Sequence, residues 1–113
     1  MDCLFCKIAA GEVAAERVLE EPRVIAIRDV HPQAPSHVLV MPREHVASLW
    51  EIEDESLAGA LLAAAGRVAR AEGLAKGWRL IANTRGHGGQ EIDHLHLHVL
   101  GGHPLGPMLA PSG

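Results

Sequence analysis

The sequence has no long apolar run, and this absence argues against a membrane protein. No stretch of its 113 residues approaches the length that a helix needs to cross a bilayer. The first residues, Met1-Asp2-Cys3, lack the charged and then apolar segments of a secretory signal. We therefore expect a cytoplasmic protein that does not associate with a membrane.

The sequence also lacks a surplus of basic residues and has few aromatic ones. Ten basic residues stand against fourteen acidic ones, so the formal net charge is −4 and no basic surface is available for non-specific nucleic-acid binding. A nucleotide-sized ligand is compatible with this charge. Hydrophobic residues make up 48% of the chain and aromatic residues 3%, which is typical of a soluble globular protein. The length predicts one domain, residues 1–113.

Cysteine is rare too, and its two copies, Cys3 and Cys6, are spaced as Cys-x-x-Cys. In a cytoplasmic protein such a pair is seldom a structural disulfide. Three interpretations remain open: zinc ligands, a redox dithiol, or two small buried side chains. A thioredoxin-like dithiol lies between a strand and a helix, whereas this pair precedes every predicted strand.

Histidine, by contrast, is abundant, and three of its eight copies alternate with leucine in His94-Leu95-His96-Leu97-His98. This alternation predicts a β-strand with three imidazoles on one face and apolar residues on the other. At about 3.3 Å per residue, the outer two Cα atoms would lie roughly 13 Å apart, too far for all three rings to share one metal ion. We therefore expect the three histidines to have different roles.

A zinc site would need two ligands besides the cysteines. His45, just after the third predicted strand, and His94, the first histidine of the triad, are the best candidates. Such a Cys₂His₂ site would be structural. It would leave His96 and His98 free to act on a substrate.

The remaining pattern predicts an α+β fold, with a mainly antiparallel five-stranded sheet, one long helix and a short N-terminal helix. The short helix is predicted to start near Cys3 and to end before Gly11. The long helix follows the acids at 53–55 and ends near Glu72, with a buried stripe made by Leu57, Leu61, Leu62, Ala65, Val68 and Ala69. Strands are predicted at residues 17–20, 24–27, 37–41 and 78–83, and at the histidine stretch 94–100.

Residues 83–90, Asn-Thr-Arg-Gly-His-Gly-Gly-Gln, join the last two predicted strands and are called the glycine loop below. The segment could be an ordinary loop that needs positive φ. Its position, however, brings backbone N–H groups and the Asn83 and Gln90 amides close to the triad, where they could bind a phosphate. A neutral imidazole that faces a bound phosphate can attack phosphorus. Asp29, after the second strand, could accept hydrogen bonds from a ribose or could be a turn residue.

With these features the chain resembles the histidine-triad (HIT) nucleotide-binding family and, within it, the Hint branch of purine nucleoside phosphoramidases. The resemblance covers nearly the whole chain. It rests on the triad with Val99 and Leu100, Asp29, Pro32-Gln33-Ala34-Pro35-Ser36-His37, Asn83, Gly88-Gly89-Gln90, and Leu105-Gly106-Pro107-Met108-Leu109 in the tail.

The resemblance implies a hydrolase that cleaves the P–N bond of purine nucleoside 5′-phosphoramidates, such as AMP joined to an amine, through a nucleotidyl-histidine intermediate. It assigns His96 as the nucleophile and His98 as the residue that contacts the phosphate beside it. His37 and Asn83 would support this pair. The catalytic set that it implies is therefore His96, His98, His37 and Asn83.

The resemblance also implies a substrate site, a structural zinc ion and a homodimer whose sheets join across the interface. The base would lie against Phe5, Ile8 and Ile27, the ribose at Asp29, and the phosphate at the glycine loop. The implied substrate-binding residues are Phe5, Ile8, Ile27, Asp29, Asn83, Gly89, Gln90, Glu91, Ile92 and His98. Zinc-binding relatives use ligands that correspond to Cys3, Cys6, His45 and His94.

The chain departs from the family pattern at two positions. Glu91 stands where animal members have a serine thought to assist the phosphate and the leaving group, so the proton donor to the leaving amine is open. Asp93 replaces a common aromatic residue. Two alternative functions remain: a hydrolase of dinucleoside polyphosphates in the same family, and a zinc-stabilised nucleotide-binding interaction protein with little turnover.

Overall fold

The computed structural model describes residues 3–109, and within them it has the predicted α+β architecture: five strands in one antiparallel sheet and two α-helices. The strands are β1 (Arg17–Glu20), β2 (Val24–Arg28), β3 (Ser36–Pro42), β4 (Trp78–Ile81) and β5 (Leu97–Gly101); the helices are α1 (Leu4–Ala9) and α2 (Glu55–Ala71). The spatial order of the strands is β1-β2-β3-β5-β4. Strand β5, which contains the last histidine of the triad, thus lies inside the sheet, between β3 and β4.

The neighbouring strands β2 and β3 separate two hydrophobic clusters. Because successive side chains point to opposite faces of a strand, Val38 and Val40 pack towards α2, whereas Leu39 and Met41 pack towards α1. The cluster on the α2 face is the larger one, and it also contains Leu97 from β5. The cluster on the α1 face is the one that approaches the histidines. The sheet is therefore covered on both faces.

Helix α2 packs on the sheet with one side, as its apolar spacing predicted. Asp54 caps its N-terminus by accepting a hydrogen bond from the Leu57 N–H at 3.1 Å. The predicted stripe was wrong at Leu62, which is 59% exposed, whereas Ala64 is fully buried. At about 100° per residue, Leu62 lies too far around the helix from Leu61 to share its contact with the sheet.

The predicted histidine strand was wrong at its beginning. Strand β5 begins at Leu97, so of the triad only His98 lies within it. The last residue of β3 in this part of the sheet is Pro42, which has no N–H with which to extend the ladder. The Leu95 N–H instead donates to the Val46 carbonyl at 2.7 Å. The alternation of the apolar residues persists nonetheless, because Leu95 is 2% exposed on the same face as Leu97.

Neither helix within residues 3–109 combines the length and apolarity that crossing a bilayer would require.

Candidate active site

His37 on β3 and His98 on β5 form a hydrogen-bonded pair on the α1 face of the sheet. The two strands are direct neighbours, and the Nε2 atom of His37 lies 2.9 Å from the Nδ1 atom of His98. The His37 side chain is 1% exposed. Its ring is therefore surrounded by other protein atoms.

Hydrogen bonds determine which nitrogen of each ring carries the proton. The backbone N–H of Gln33, which can only donate, lies 3.0 Å from Nδ1 of His37. In a neutral ring the proton of His37 is therefore on Nε2, from which it is donated to Nδ1 of His98. The proton of His98 must then be on its own Nε2, so this ring offers a donor at its far end.

His96 has the opposite arrangement. Its Nδ1 atom lies 2.7 Å from the backbone carbonyl of His94, which can only accept a hydrogen bond. The proton of His96 is therefore on Nδ1, and Nε2 carries a lone pair. The ring is 5.1 Å from that of His98 and 5.1 Å from that of Phe5, measured between centroids. An imidazole held in this way is suited to act as a nucleophile.

Burial keeps the supporting pair neutral. Desolvation, together with the neighbouring His96 and His37, lowers the pKa of His98 to about 4, although Asp29 opposes the shift. The pKa of His37 is also lowered by burial, again opposed by Asp29. Near neutral pH both rings are therefore uncharged hydrogen-bond donors.

Asp29, in the segment between β2 and β3, lies beside the His37–His98 pair. One carboxylate oxygen accepts the backbone N–H of His31 at 2.8 Å, and the other lies 3.4 Å from Nε2 of His37. Asp29, His37 and His98 have ligand atoms within 4.8 Å of one another. Nevertheless, a metal ion does not fit this cluster, because the Gln33 N–H keeps the proton of His37 on the nitrogen that would have to bind the ion.

Two cavities meet at the triad. One, of about 360 Å³, is called the phosphate cavity, and it is bordered by Asp29, His31, Gln33, His37, Ile81, Asn83, Gly89, Glu91, His96, His98 and Leu100. The other, of about 650 Å³, is called the base cavity; its border includes Phe5, Ile8, Ile27, Leu39 and Ile92. Both cavities are bordered by Asp29, His31, Glu91, His96 and His98. A ligand with a phosphate and an apolar ring could therefore occupy both and present its phosphate to His96.

The glycine loop borders the phosphate cavity with Asn83 and Gly89, and between them it forms a short 3₁₀ turn, Gly86–Gly88. Asn83 holds the turn by donating from Nδ2 to the Gly88 carbonyl at 2.8 Å. Gly89 has a φ of 78°, a conformation that favours glycine.

The side chain of Gln90, an expected phosphate contact, is hydrogen-bonded within the protein. Its Nε2 group donates to the carbonyls of Ala47 at 2.7 Å and Ile92 at 3.0 Å, and its Oε1 atom accepts from the Arg85 N–H at 2.8 Å. The residues that border the two cavities do not include Gln90. Its amide is therefore used to hold the loop.

A second cluster lies behind the triad and can hold a metal ion. The ligand atoms of Cys3, Cys6, His45 and His94 are all within 4.8 Å of one another. Nδ1 of His94 is 3.3 Å from Sγ of Cys3 and 3.5 Å from Sγ of Cys6, and Nδ1 of His45 is 3.5 Å from Sγ of Cys6. Four ligands around a tetrahedral zinc ion, with bonds of about 2.0–2.3 Å, are separated by roughly 3.3–3.8 Å, so these distances fit.

The protonation of His94 also suits a metal ligand. Its Nε2 atom is 2.8 Å from the carbonyl of Pro42, to which it must donate, so Nδ1 keeps its lone pair and points at the two sulfur atoms. Such an outer hydrogen bond is usual for a histidine that binds a metal. Burial lowers the pKa of His94, which favours the neutral ring that ligation requires.

The structure brings the predicted residues together at these two places, and Gln90 lies in the glycine loop that borders the first of them. It also adds residues that the sequence analysis missed. Leu39 lies two positions after His37 on β3, so the period of the strand could have identified it. Gln33 acts through its backbone N–H, and a backbone contact leaves no signal in the sequence.

Comparisons with known proteins show which family and fold this chain is similar to. A family model described as the HIT domain matches residues 10–105. The purine nucleoside phosphoramidase of Escherichia coli (strain K12) is 43% identical over 115 residues, which cover 99% of this chain and 97% of that protein. A histidine triad protein from Clostridium difficile superposes with a TM-score of 0.91 at 40% identity, covering 96% of this chain and 97% of the other. For a HIT family hydrolase from Clostridium thermocellum, the TM-score is 0.91 at 43% identity, with the same shares covered, 96% and 97%.

Proposed function

The chain belongs to the HIT domain family, and from this premise we propose that it is a nucleotide-binding hydrolase that cleaves the P–N bond of purine nucleoside 5′-phosphoramidates. The observation that carries the proposal is the ring of His96, which donates Nδ1–H to the His94 carbonyl and keeps a lone pair on Nε2. The relative that is 43% identical and named purine nucleoside phosphoramidase supports the substrate class.

In the first step, Nε2 of His96 attacks phosphorus as the P–N bond to the amine breaks. The electron pair of that bond leaves with the nitrogen, which takes up a proton, and a nucleotidyl group remains on His96. The Nε2–H of His98 is the donor for a phosphoryl oxygen, where negative charge has to be stabilised. His37 fixes the orientation of that donor, since its own Nε2–H is given to His98.

In the second step, water attacks the nucleotidyl group, and the proton that it loses returns to the group that protonated the amine, for which Glu91 is the candidate. The bond between phosphorus and His96 breaks, the nucleoside monophosphate is released, and the neutral ring is restored. The Nδ1–H bond to the His94 carbonyl stabilises the ring while it carries the nucleotidyl group, because the ring is then positively charged and donates a stronger hydrogen bond to the carbonyl oxygen.

The substrate is held by both cavities in this proposal. The purine lies in the base cavity against Phe5, Ile8, Ile27 and Ile92, and the ribose hydroxyls donate to Asp29. Asn83 and Gly89 border the phosphate, and Gln90 contributes by holding their loop. Glu91 borders both cavities, and it is the residue that we would test first as the proton donor to the leaving amine.

Substitution of His96 tests the proposal. We expect His96→Ala to abolish the release of AMP from an adenosine 5′-phosphoramidate while AMP binding, measured by calorimetry, remains detectable. Turnover that survives this change would contradict the assignment of the nucleophile. A wild-type protein that binds AMP without turnover would favour the nucleotide-binding interaction protein.

The same assay separates the two hydrolase alternatives. In the dinucleoside polyphosphate branch, the leaving group is a second nucleotide rather than an amine. We expect the wild-type protein to have a higher kcat/KM on the phosphoramidate than on a diadenosine polyphosphate. A large preference for the polyphosphate would move the chain to that branch.

We propose further that the ion of the Cys3, Cys6, His45 and His94 cluster is a structural zinc. Two thiolates and two imidazoles are a donor set that zinc prefers. Zinc would cross-link the N-terminal helix to the triad, and it takes no part in the reaction. The thiols must be reduced to bind it, which supports a cytoplasmic location.

We also propose a homodimer of a single domain, residues 1–113. Strand β4 is an edge of the sheet, and Trp78 and Leu80 on it are 40% and 37% exposed. Beside this edge, a groove of about 230 Å³ is lined mostly by apolar residues: Leu49, Ala58, Leu61, Leu62, Leu80, Ala82, Leu95 and Leu97. An edge strand with an apolar neighbouring surface is suited to pair with a second copy.

A further inference from the structure

Arg85, in the glycine loop, has a backbone conformation that residues with a side chain rarely adopt. Its φ is 56° and its ψ is −173°. Within residues 3–109, it is the one non-glycine residue with a positive φ. Because a Cβ atom crowds the backbone in this region, glycine is the usual occupant. The presence of arginine therefore requires contacts that hold the strained conformation.

The turn of the glycine loop depends on the orientation of the Arg85 backbone. The Arg85 N–H donates to Oε1 of Gln90 at 2.8 Å, and its carbonyl accepts from the N–H groups of Gly88 and Gln90, both at 3.1 Å. These are the bonds that form the turn beside the phosphate cavity. A rotation of the backbone at Arg85 would break all three.

The side chain of Arg85 ties the loop to the segment 47–51. Its Nε atom donates to Oε1 of Glu51 at 3.1 Å, and its Nη2 donates to the same oxygen. The hydroxyl of Ser48 donates to the other oxygen of that carboxylate. The guanidinium carbon also lies 5.6 Å from the centroid of the Trp50 ring.

Each of these side-chain contacts is weak alone, because the Arg85 side chain is 61% exposed. Several of these contacts, however, act together on one group, the carboxylate of Glu51. The carboxylate of Glu51 is fixed by Ser48 as well as by Arg85, and Gln90 reaches the same segment through the Ala47 carbonyl at 2.7 Å. The loop is thus attached to this segment at two points.

We propose that Arg85 is a positioning residue for the reaction, whose anchored side chain keeps its own backbone in the strained conformation that the glycine loop needs. It acts through Asn83 and Gly89, which border the phosphate cavity, while Arg85 itself borders neither cavity. The inference rests on the proposed function, because it concerns the placement of the phosphate. The proposal predicts that the anchoring side chain is dispensable when residue 85 is glycine, because glycine adopts a positive φ without strain.

Two substitutions at this position separate the anchor from the strain. We expect Arg85→Ala, which keeps a Cβ but loses the anchor, to lower kcat/KM for an adenosine 5′-phosphoramidate by about tenfold. Arg85→Gly also loses the anchor but adopts a positive φ without strain, and it should recover most of that loss. Equal impairment of both variants, or no impairment of Arg85→Ala, would overturn the proposal.

Arg67→Ala is the matched control, because it removes an exposed ion pair in which Nε and Nη2 of Arg67 contact Glu21 at 2.7 and 2.8 Å, and Arg67 is not a positive-φ residue. It should lower the melting temperature as much as Arg85→Ala does but leave kcat/KM unchanged. If the control lost activity in proportion to its loss of stability, the effect of Arg85→Ala would be attributed to global stability, and the proposal would be overturned.

Amide hydrogen exchange at Gly88, Gly89 and Gln90 provides a readout that does not depend on turnover. Exchange should be faster in Arg85→Ala than in the wild type and in Arg85→Gly, and no difference would contradict the role of Arg85. A wild-type protein without phosphoramidase activity would contradict the proposed function instead, and the exchange experiment would still decide the role of Arg85.

Discussion

Each histidine of the triad presents a different group to its surroundings, an Nδ1 lone pair on His94, an Nε2 lone pair on His96 and an Nε2–H on His98, and in every case a backbone group is the cause. The Pro42 carbonyl leaves Nδ1 of His94 free for a metal, and the His94 carbonyl leaves Nε2 of His96 free for phosphorus. His98 receives its protonation indirectly, through His37 and the Gln33 N–H. In the proposed function, three chemically identical side chains thus serve as a metal ligand, a nucleophile and a hydrogen-bond donor.

The protonation of His98 can be tested by nuclear magnetic resonance. We expect the ¹⁵N shifts of its ring to report a proton on Nε2 at neutral pH and a titration midpoint of about 4. Asp29→Asn should lower the midpoint further, because the Asp29 carboxylate favours the charged ring and thereby opposes the burial and the neighbouring His96 and His37 rings. A midpoint near the ordinary value of 6.5, or a proton on Nδ1, would contradict the assignment.

The lowered pKa of His98 also has a consequence for stability. Between its ordinary pKa of 6.5 and about 4, the unfolded chain binds a proton at this residue and the folded chain does not. The contribution of His98 to stability is therefore complete above the ordinary value and decreases as the pH falls through this window.

Among the elements, helix α1 connects the metal cluster to the substrate site. Cys3 caps the helix and Cys6 lies within it, while Phe5 and Ile8 border the base cavity. The Phe5 ring also contacts the rings of His94 and His96, at 5.8 and 5.1 Å between centroids. A metal ion bound to the two cysteines would therefore fix the wall of the base cavity, even though it lies outside the cavity.

Metal analysis tests this arrangement. We expect protein purified without a histidine tag to contain about one zinc ion per chain, and Cys6→Ser to lower both the zinc content and the affinity for AMP. His103→Asn is the matched control, since His103 is exposed and lies outside the cluster. Stably folded wild-type protein without zinc would rule out the structural ion.

For the molecule as a whole, the two edges of the sheet differ. Strand β1 lies at one edge and β4 at the other, and the apolar groove adjoins β4. The proposed dimer would join the β4 edges of two copies and extend the sheet across the interface. The two active sites would then lie in one continuous structure.

Light scattering after size-exclusion chromatography tests the dimer. We expect the wild-type protein to elute with twice the mass of one chain and Leu80→Lys to elute as a monomer, because a buried lysine without a partner would be costly in the interface. Val30→Lys replaces a more exposed apolar residue, 85% exposed and away from the groove, and should remain dimeric. A monomeric wild type would contradict the proposal.

Periodicity and residue type predicted most of the fold. The bounds of β1 agreed residue for residue with the prediction, and the apolar spacing located α2, because burial on one face imposes a period that the sequence must carry. The start of β5 could not be predicted in the same way. It depends on Pro42 of the neighbouring strand and on the Val46 carbonyl, both distant in sequence from the triad.

The sequence by itself determined the chemistry that is available: three histidines in alternation, two cysteines and a further histidine that could bind a metal together with the first of the triad, and a glycine-rich loop. The tertiary structure decided which atom of each group is used. It gave His96 its free Nε2, joined the Gln90 amide to the Ala47 carbonyl, and held Arg85 in a conformation typical of glycine. The physical reason is that these choices are made by backbone N–H and carbonyl groups, which every residue type carries alike and whose positions are set only when distant segments pack together.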